Sequence, residues 1–256
     1  MQKIVVKVGT STLTQGNLKL SRRHMLSLVE QLVHLHECGK QLILVSSGAV
    51  AAGRDHLSMH EKNLAKQLCA STGQVILMQT WLELFSLFDL PIGQVLLNRE
   101  DFTDSKKQCN ARDVLESLLK HGIIPVINEN DTMATQETRV GDNDNLAAHV
   151  AKLISADLVI LLTDQEGLYT ADPRVNPEAK LISTVSCIDG SILSFAGGSA
   201  SSLGTGGMAT KIEAAQTASQ AGVRMVIASS SRPRVLIDIV EGKPMGTLFL
   251  EGGAHE

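Results

Sequence analysis

Six short segments of this 256-residue chain concentrate residue types that handle phosphate and charge. The first is Lys7, inside Val5-Val6-Lys7-Val8, which runs into Gly9-Thr10-Ser11-Thr12. An ammonium beside a glycine turn can meet transferring phosphate oxygens together with backbone N–H groups. A lysine lying along an edge strand with its head in water leaves the same pattern. The second is Ser46-Ser47-Gly48-Ala49-Val50-Ala51-Ala52-Gly53. Small residues there let the backbone approach a ligand, and amides opening a helix favour an anion. Close helix–strand packing asks for the same residues. A hydrolase elbow needs G-x-S-x-G, which this segment lacks.

The third and fourth segments are rich in amides and carboxylates. Asn128-Glu129-Asn130-Asp131-Thr132 reads as turn chemistry or as acceptors around an ammonium group. In Gly141-Asp142-Asn143-Asp144-Asn145 a helix begins, and one Asp or Asn would suffice to cap it. Four in a row exceed what capping needs. The fifth segment, Thr163-Asp164, stands where the sugar or base of a nucleotide would lie. The sixth, Gly204-Thr205-Gly206-Gly207-Met208-Ala209-Thr210-Lys211, reads as a polyphosphate cradle opening a helix, or as a flexible surface loop. Neither G-x-G-x-x-G nor G-x-x-x-x-G-K-[ST] occurs, so a dinucleotide fingerprint and a P-loop are both excluded.

These segments need a scaffold, and the chain around them alternates between two patterns. Short apolar runs at 3–8, Leu42–Val45, Ile92–Leu97, Ile123–Ile127, Leu158–Leu162 and Val223–Ala228 predict strands. Between them, helical periodicity opens at Ser21, with Met25, Leu28, Val29, Leu32 and Leu35 on one face and Gly39 as the stop. Further helices are expected through the 60s to 80s and over 109–121, 143–155 and 207–221. Residues 170–205, richer in Pro, Gly and Ser, predict an irregular excursion. Continuous apolar strands alternating with helices predict a mostly parallel sheet covered on both faces. Right-handed crossovers then bring every strand-to-helix loop to one sheet edge, where such sheets bind ligands.

Composition narrows the function. Aromatics make up only 3%, so the core must be aliphatic. A net charge of −4 gives no general attraction to nucleic acid or to anionic membrane. The four cysteines are widely spaced without CxxC, against a zinc site, a redox motif or a disulfide framework. No signal-peptide pattern opens the chain, and no apolar run reaches the ~18 residues of a membrane span. A cytoplasmic protein is expected, with no repeat and no convincing linker.

Taken in order, the segments resemble the amino acid kinase family. The resemblance is carried by Lys7-Val8-Gly9-Thr10-Ser11, Ser46-Ser47-Gly48-Ala49, Asn110-Ala111-Arg112-Asp113 and Pro125 through Asp131. It continues through Val140–Asn145, Leu162–Pro173 and Gly204–Lys211, and so covers essentially the whole chain. Within the family it points to members that phosphorylate the side-chain carboxylate of L-glutamate with ATP, the first step of proline synthesis. It implies an α/β fold, a three-layer α/β/α sandwich around a mostly parallel sheet, as in carbamate kinases. Lys7 and Lys211 are then expected on the β- and γ-phosphates, with Asp144 orienting both. Thr163, Asp164, Thr205, Gly206, Gly207, Met208, Ala209, Thr210 and Lys211 are expected to bind ATP, and Ser47, Asp131 and Asn143 to contact glutamate. Mg²⁺ is expected on the phosphates and water, with no protein ligand set. The resemblance also implies a homo-oligomer (dimer or tetramer), hand-off of product to glutamyl-phosphate reductase, and proline as feedback inhibitor. Many bacterial members carry a C-terminal PUA domain. Since the sequence stops at Glu256, the expectation is one kinase domain over 1–256 without it.

The acceptor can be narrowed by charge. Free glutamate carries an α-ammonium, which Asp131 matches, whereas N-acetylglutamate lacks that charge. A nucleoside monophosphate calls for Lys or Arg, and Asn128–Asp131 and Gly141–Asn145 contain none. Aspartate carries the same two α-groups, but its kinases usually continue into regulatory domains. A catalytically silent amino-acid sensor on the same fold is the alternative of another class.

Overall fold

The computed structural model describes residues 2–57, 66–133, 140–196 and 207–252. Its eight strands are β1 (Lys3–Val8), β2 (Gln41–Ser46), β3 (Ile92–Leu97), β4 (Ile124–Glu129), β5 (Leu158–Thr163), β6 (Thr184–Val185), β7 (Arg224–Ser229) and β8 (Thr247–Phe249). They form one sheet in the order β3-β4-β2-β1-β5-β7-β8-β6. Every pairing from β3 to β7 is parallel; β8 runs antiparallel to β7, and β6 pairs parallel with β8. The expected mostly parallel sheet is therefore present, with an added antiparallel margin.

The described helices are α1 (Thr10–Thr14), α2 (Arg22–Glu37), α3 (Ala49–His56), α4 (Lys66–Ser86), α5 (Glu100–Thr103), α6 (Ser105–Lys120), α7 (Asn143–Leu153), α8 (Gly190–Ala196), α9 (Met208–Gln220) and α10 (Val235–Val240). Strand alternation divides the core in two. Val5, Ile43, Val45, Ile127, Val159 and Leu161 face a layer containing residues of α6, α7 and α9. Ile4, Val6, Leu42, Leu44, Val126 and Ile160 face residues of α2, α4 and α10. With helices on both sides, the central strands are apolar at almost every position. Lys7 is the exception on β1 that stays buried.

Several boundaries move relative to the sequence expectation. The helix expected at 109–121 starts at Ser105, because Asp104 caps it by accepting from the amides of Lys106 and Lys107. The strand expected at 123–127 runs from Ile124 to Glu129, so its polar tail belongs to the sheet rather than to a turn. Within the region expected to be irregular lie the short β6 and α8. None of β6, β8, α8 and α10 was expected. Among the described residues no helix is long and apolar enough to cross a membrane.

Two contacts place the loop after β2. A Cβ on Gly73 would stand 1.7 Å from the carbonyl oxygen of Ala49, and one on Gly53 2.0 Å from that of Cys69. The backbones of α3 and α4 thus touch, which only glycine permits. Farther along α4, the indole N–H of Trp81 donates to Ser46 Oγ at 2.9 Å and pins the end of β2.

Candidate active site

Because β1, β2, β4, β5 and β7 are parallel, the segments that follow them emerge at one edge of the sheet. At its centre stands Asp144, fully buried in the first turn of α7. Asp142 caps that helix, its carboxylate accepting from the amides of Asp144 and Asn145 at 2.7 and 3.0 Å. The cap frees Asp144 to point across to its neighbours. Its Oδ1 lies 2.6 Å from Lys7 Nζ, and its Oδ2 accepts from Lys211 Nζ at 3.0 Å. Thr210 Oγ1 lies 3.2 Å from the same Oδ2 and 2.9 Å from the carbonyl of Gly207; its single proton serves one of them at a time.

The electrostatics of this trio follow from burial and charge count. Burial alone would raise the Asp144 carboxyl, but the ammonium groups of Lys7 and Lys211 outweigh it and hold the pKa at about 2. Asp144 is therefore ionised at neutral pH. The two lysines share this one carboxylate in a site largely closed to water, and Asp142 lies close enough to interact with Lys7 as well. An anion entering here could accept from both ammonium groups. The backbone passes close by at Gly9, where a Cβ would stand 3.4 Å from Lys7 Nζ.

A second group lies beside the first. Asn143 Nδ2 donates to Ser47 Oγ at 2.8 Å and to Asn128 Oδ1 at 2.9 Å. Asn128 Nδ2 in turn donates to Gln74 Oε1 of α4 at 2.9 Å. Asp131 is held by Lys66 at the start of α4, Nζ to Oδ1 2.8 Å. Glu129 is buried and its Oε1 accepts from the Val140 amide at 2.5 Å. Burial raises its pKa, and the nearby Asp131 adds to this, while the Val140 amide and the charge of Lys66 oppose it.

The fold thus brings Lys7, Lys211 and Asp144 into one cluster, with Thr210 and Gly207 at its side. Ser47 and Asn143 are directly bonded, and Asp131 is paired with Lys66. Thr163 and Asp164 end β5, Thr163 Oγ1 donating to Asp164 Oδ1 at 3.0 Å. Met208 is buried and Ala209 exposed in the first turn of α9. Thr205 and Gly206 lie outside the described residues. Asn128 and Glu129 stood in a segment already singled out, but without individual roles. Lys66 and Gln74 carried no local signal, because only the docking of α4 brings them here.

Solved structures of two kinases share this architecture at low sequence identity. Carbamate kinase from Giardia lamblia bound to AMP-PNP superposes with a TM-score of 0.69 at 16% identity, covering 98% of each chain. UMP kinase from Ureaplasma parvum gives 0.65 at 15%, covering 97% of this chain and 98% of that one. The fold is the one those kinases use. The sequence profile of the amino acid kinase family matches residues 2–229. Glutamate 5-kinase of Aliivibrio salmonicida is 55% identical over 252 residues, covering 97% of this chain and 68% of the relative. That of Photobacterium profundum is 54% identical over 252 residues, with 97% and 67% covered. The glutamate 5-kinase of Serratia marcescens is 52% identical over 251 residues, with 97% and 68% covered. The chain belongs to the amino acid kinase family.

Proposed function

We propose that this chain transfers the γ-phosphoryl group of ATP to the side-chain carboxylate of L-glutamate, giving L-glutamyl 5-phosphate for proline synthesis. The observation that carries this reading is the pair of ammonium groups, remote in sequence, gathered by one buried carboxylate at the sheet edge. The glutamate 5-kinases above, more than half identical, support the choice of acceptor.

A carboxylate is already a nucleophile at neutral pH, so the site needs no general base. What remains is alignment and neutralisation of charge on a loose phosphoryl transition state. Lys7 and Lys211 bind the β- and γ-phosphate oxygens. Asp144 holds both ammonium groups in place, so little reorganisation is needed as charge moves from the γ-phosphoryl group to the leaving ADP. Gly207 and the first turn of α9 approach the phosphates; Thr163 and Asp164 face the nucleoside. On the acceptor side, Ser47 and Asn143 orient the glutamate, and Asp131 takes its α-ammonium.

Both oxygens of Asp144 are engaged by lysines, and Asp142 is committed to the helix cap, so Mg²⁺ fits this edge as an ion carried by the nucleotide, held by phosphate oxygens and water. When bound, it would supply positive charge that offsets the phosphates. The same reading includes a homo-oligomer, proline as feedback inhibitor, and hand-off of the labile acyl phosphate to glutamyl-phosphate reductase.

The test is ADP release with hydroxylamine trapping of the acyl phosphate, run with L-glutamate, L-aspartate and N-acetyl-L-glutamate side by side. Glutamate is expected to give the highest kcat/KM and a hydroxamate product. Binding of glutamate without ADP would instead identify an amino-acid sensor.

A further inference from the structure

Free glutamate brings three charges to the site: the side-chain carboxylate that attacks, the α-ammonium and the α-carboxylate. Asp131 matches the ammonium, and Ser47 and Asn143 are neutral. The acceptor segments Asn128–Asp131 and Gly141–Asn145 supply carboxylates and amides but no Lys or Arg. The fold brings a cation from elsewhere. Lys66, the first residue of α4, sets its Nζ 2.8 Å from Asp131 Oδ1, with side-chain exposures of 40% and 15%.

We infer that Lys66 binds the α-carboxylate of the acceptor amino acid while Asp131 binds its α-ammonium, so that the ion pair selects a zwitterionic α-carbon. This rests on the kinase reading above. An ammonium has three donors and a carboxylate about four acceptor positions, so each can keep its partner and accept one more. A zwitterion laid head to tail against the pair gives every charge two opposite neighbours and puts like charges on the diagonals. Displacing Lys66 from Asp131 would merely exchange one ion pair for another and leave the α-carboxylate facing acidic groups. Glu129 acts on the same corner, close enough to feel both Lys66 and Asp131. Lys66 therefore supplies the positive charge that keeps this corner from repelling the substrate.

The experiment compares wild type, Lys66→Met and Lys66→Arg on L-glutamate and on its α-amide, whose α-carboxylate is replaced by a neutral carboxamide. Lys66→Met is expected to raise KM for glutamate ~10- to 100-fold, with a much smaller change in kcat and none in KM for ATP. Its preference for glutamate over the α-amide is expected to shrink to within about threefold, while Lys66→Arg keeps most of it. A preference retained in Lys66→Met overturns the inference, as does a lowered KM, which would mark Lys66 as a competitor for Asp131. If wild type releases no ADP with glutamate, the kinase reading fails. Calorimetric affinities for glutamate and its α-amide in wild type and Lys66→Met then decide Lys66 by the same ratio, and no binding of either ligand overturns both.

Discussion

Lys3 and Lys7 stand four residues apart on β1, on the same face of the sheet, and each has a carboxylate oxygen 2.6 Å from its ammonium. Distance does not distinguish them. The side chains of Lys3 and Glu116 are 21% and 41% exposed, a one-to-one pair at the far edge that water can replace, with the carbonyl of Ile154 as a further acceptor. Those of Lys7 and Asp144 are 9% and 1% exposed, and Asp144 is shared with Lys211. The first pair is solvated; in the second, one dry carboxylate is shared by two ammonium groups. Desolvation and the sharing of a carboxylate, rather than proximity, set the two edges apart.

The sharpest way to break this contrast is Asp144→Asn. It leaves two buried ammonium groups with a neutral amide, and kcat is expected to fall ~10³-fold or more. Stability is expected to fall by ~3–5 kcal/mol, the cost of removing one partner from a buried ionic cluster. Urea unfolding and initial rates would measure both, and an unchanged rate would put Asp144 outside the chemistry. The same variant tests the pKa. A carboxyl held at about 2, against ~3.9 when unfolded, contributes stability that is complete above about pH 4 and lost as pH falls toward 2. Wild type should lose stability across that window by an amount that Asp144→Asn does not.

A smaller effect is expected on the acceptor side. Asp131→Asn should raise KM for glutamate ~10-fold while leaving KM for ATP nearly unaltered. A loss of ATP affinity instead would misplace the acceptor. The smallest effect belongs to the other lysine. Glu116→Gln should cost less than ~1 kcal/mol and leave kcat within about twofold, as for an exposed pair. A large loss of activity there would erase the distinction between the two edges.

How much of this was legible in the sequence depended on whether the signal was local. The six parallel strands are apolar runs flanked by helical periodicity, so pattern alone located them. Asp144 was visible because the helix start at 142–145 holds more carboxylates and amides than capping uses. Lys7 by itself supported two readings, and its burial against Asp144 sets aside the one with its head in water. The antiparallel β8 was missed because three residues are too short for a period, and its pairing with β7 is set by tertiary contacts. Lys66 and Gln74 could not be read locally. Their placement comes with the packing of α4, whose backbone closely approaches α3 at Gly53 and Gly73, and no local spacing reveals it.

The central claim is that Lys7 and Lys211 act on one phosphoryl group as a unit held by Asp144. The most direct test is a double-mutant cycle in kcat with Lys7→Ala, Lys211→Ala and the pair. Each single variant is expected to lose ~10²–10³-fold. The double variant is then expected to be little worse than the poorer single, as for residues that work together. Losses that multiply, to ~10⁴–10⁶-fold, would mean that the two ammonium groups serve independent tasks and would contradict the account.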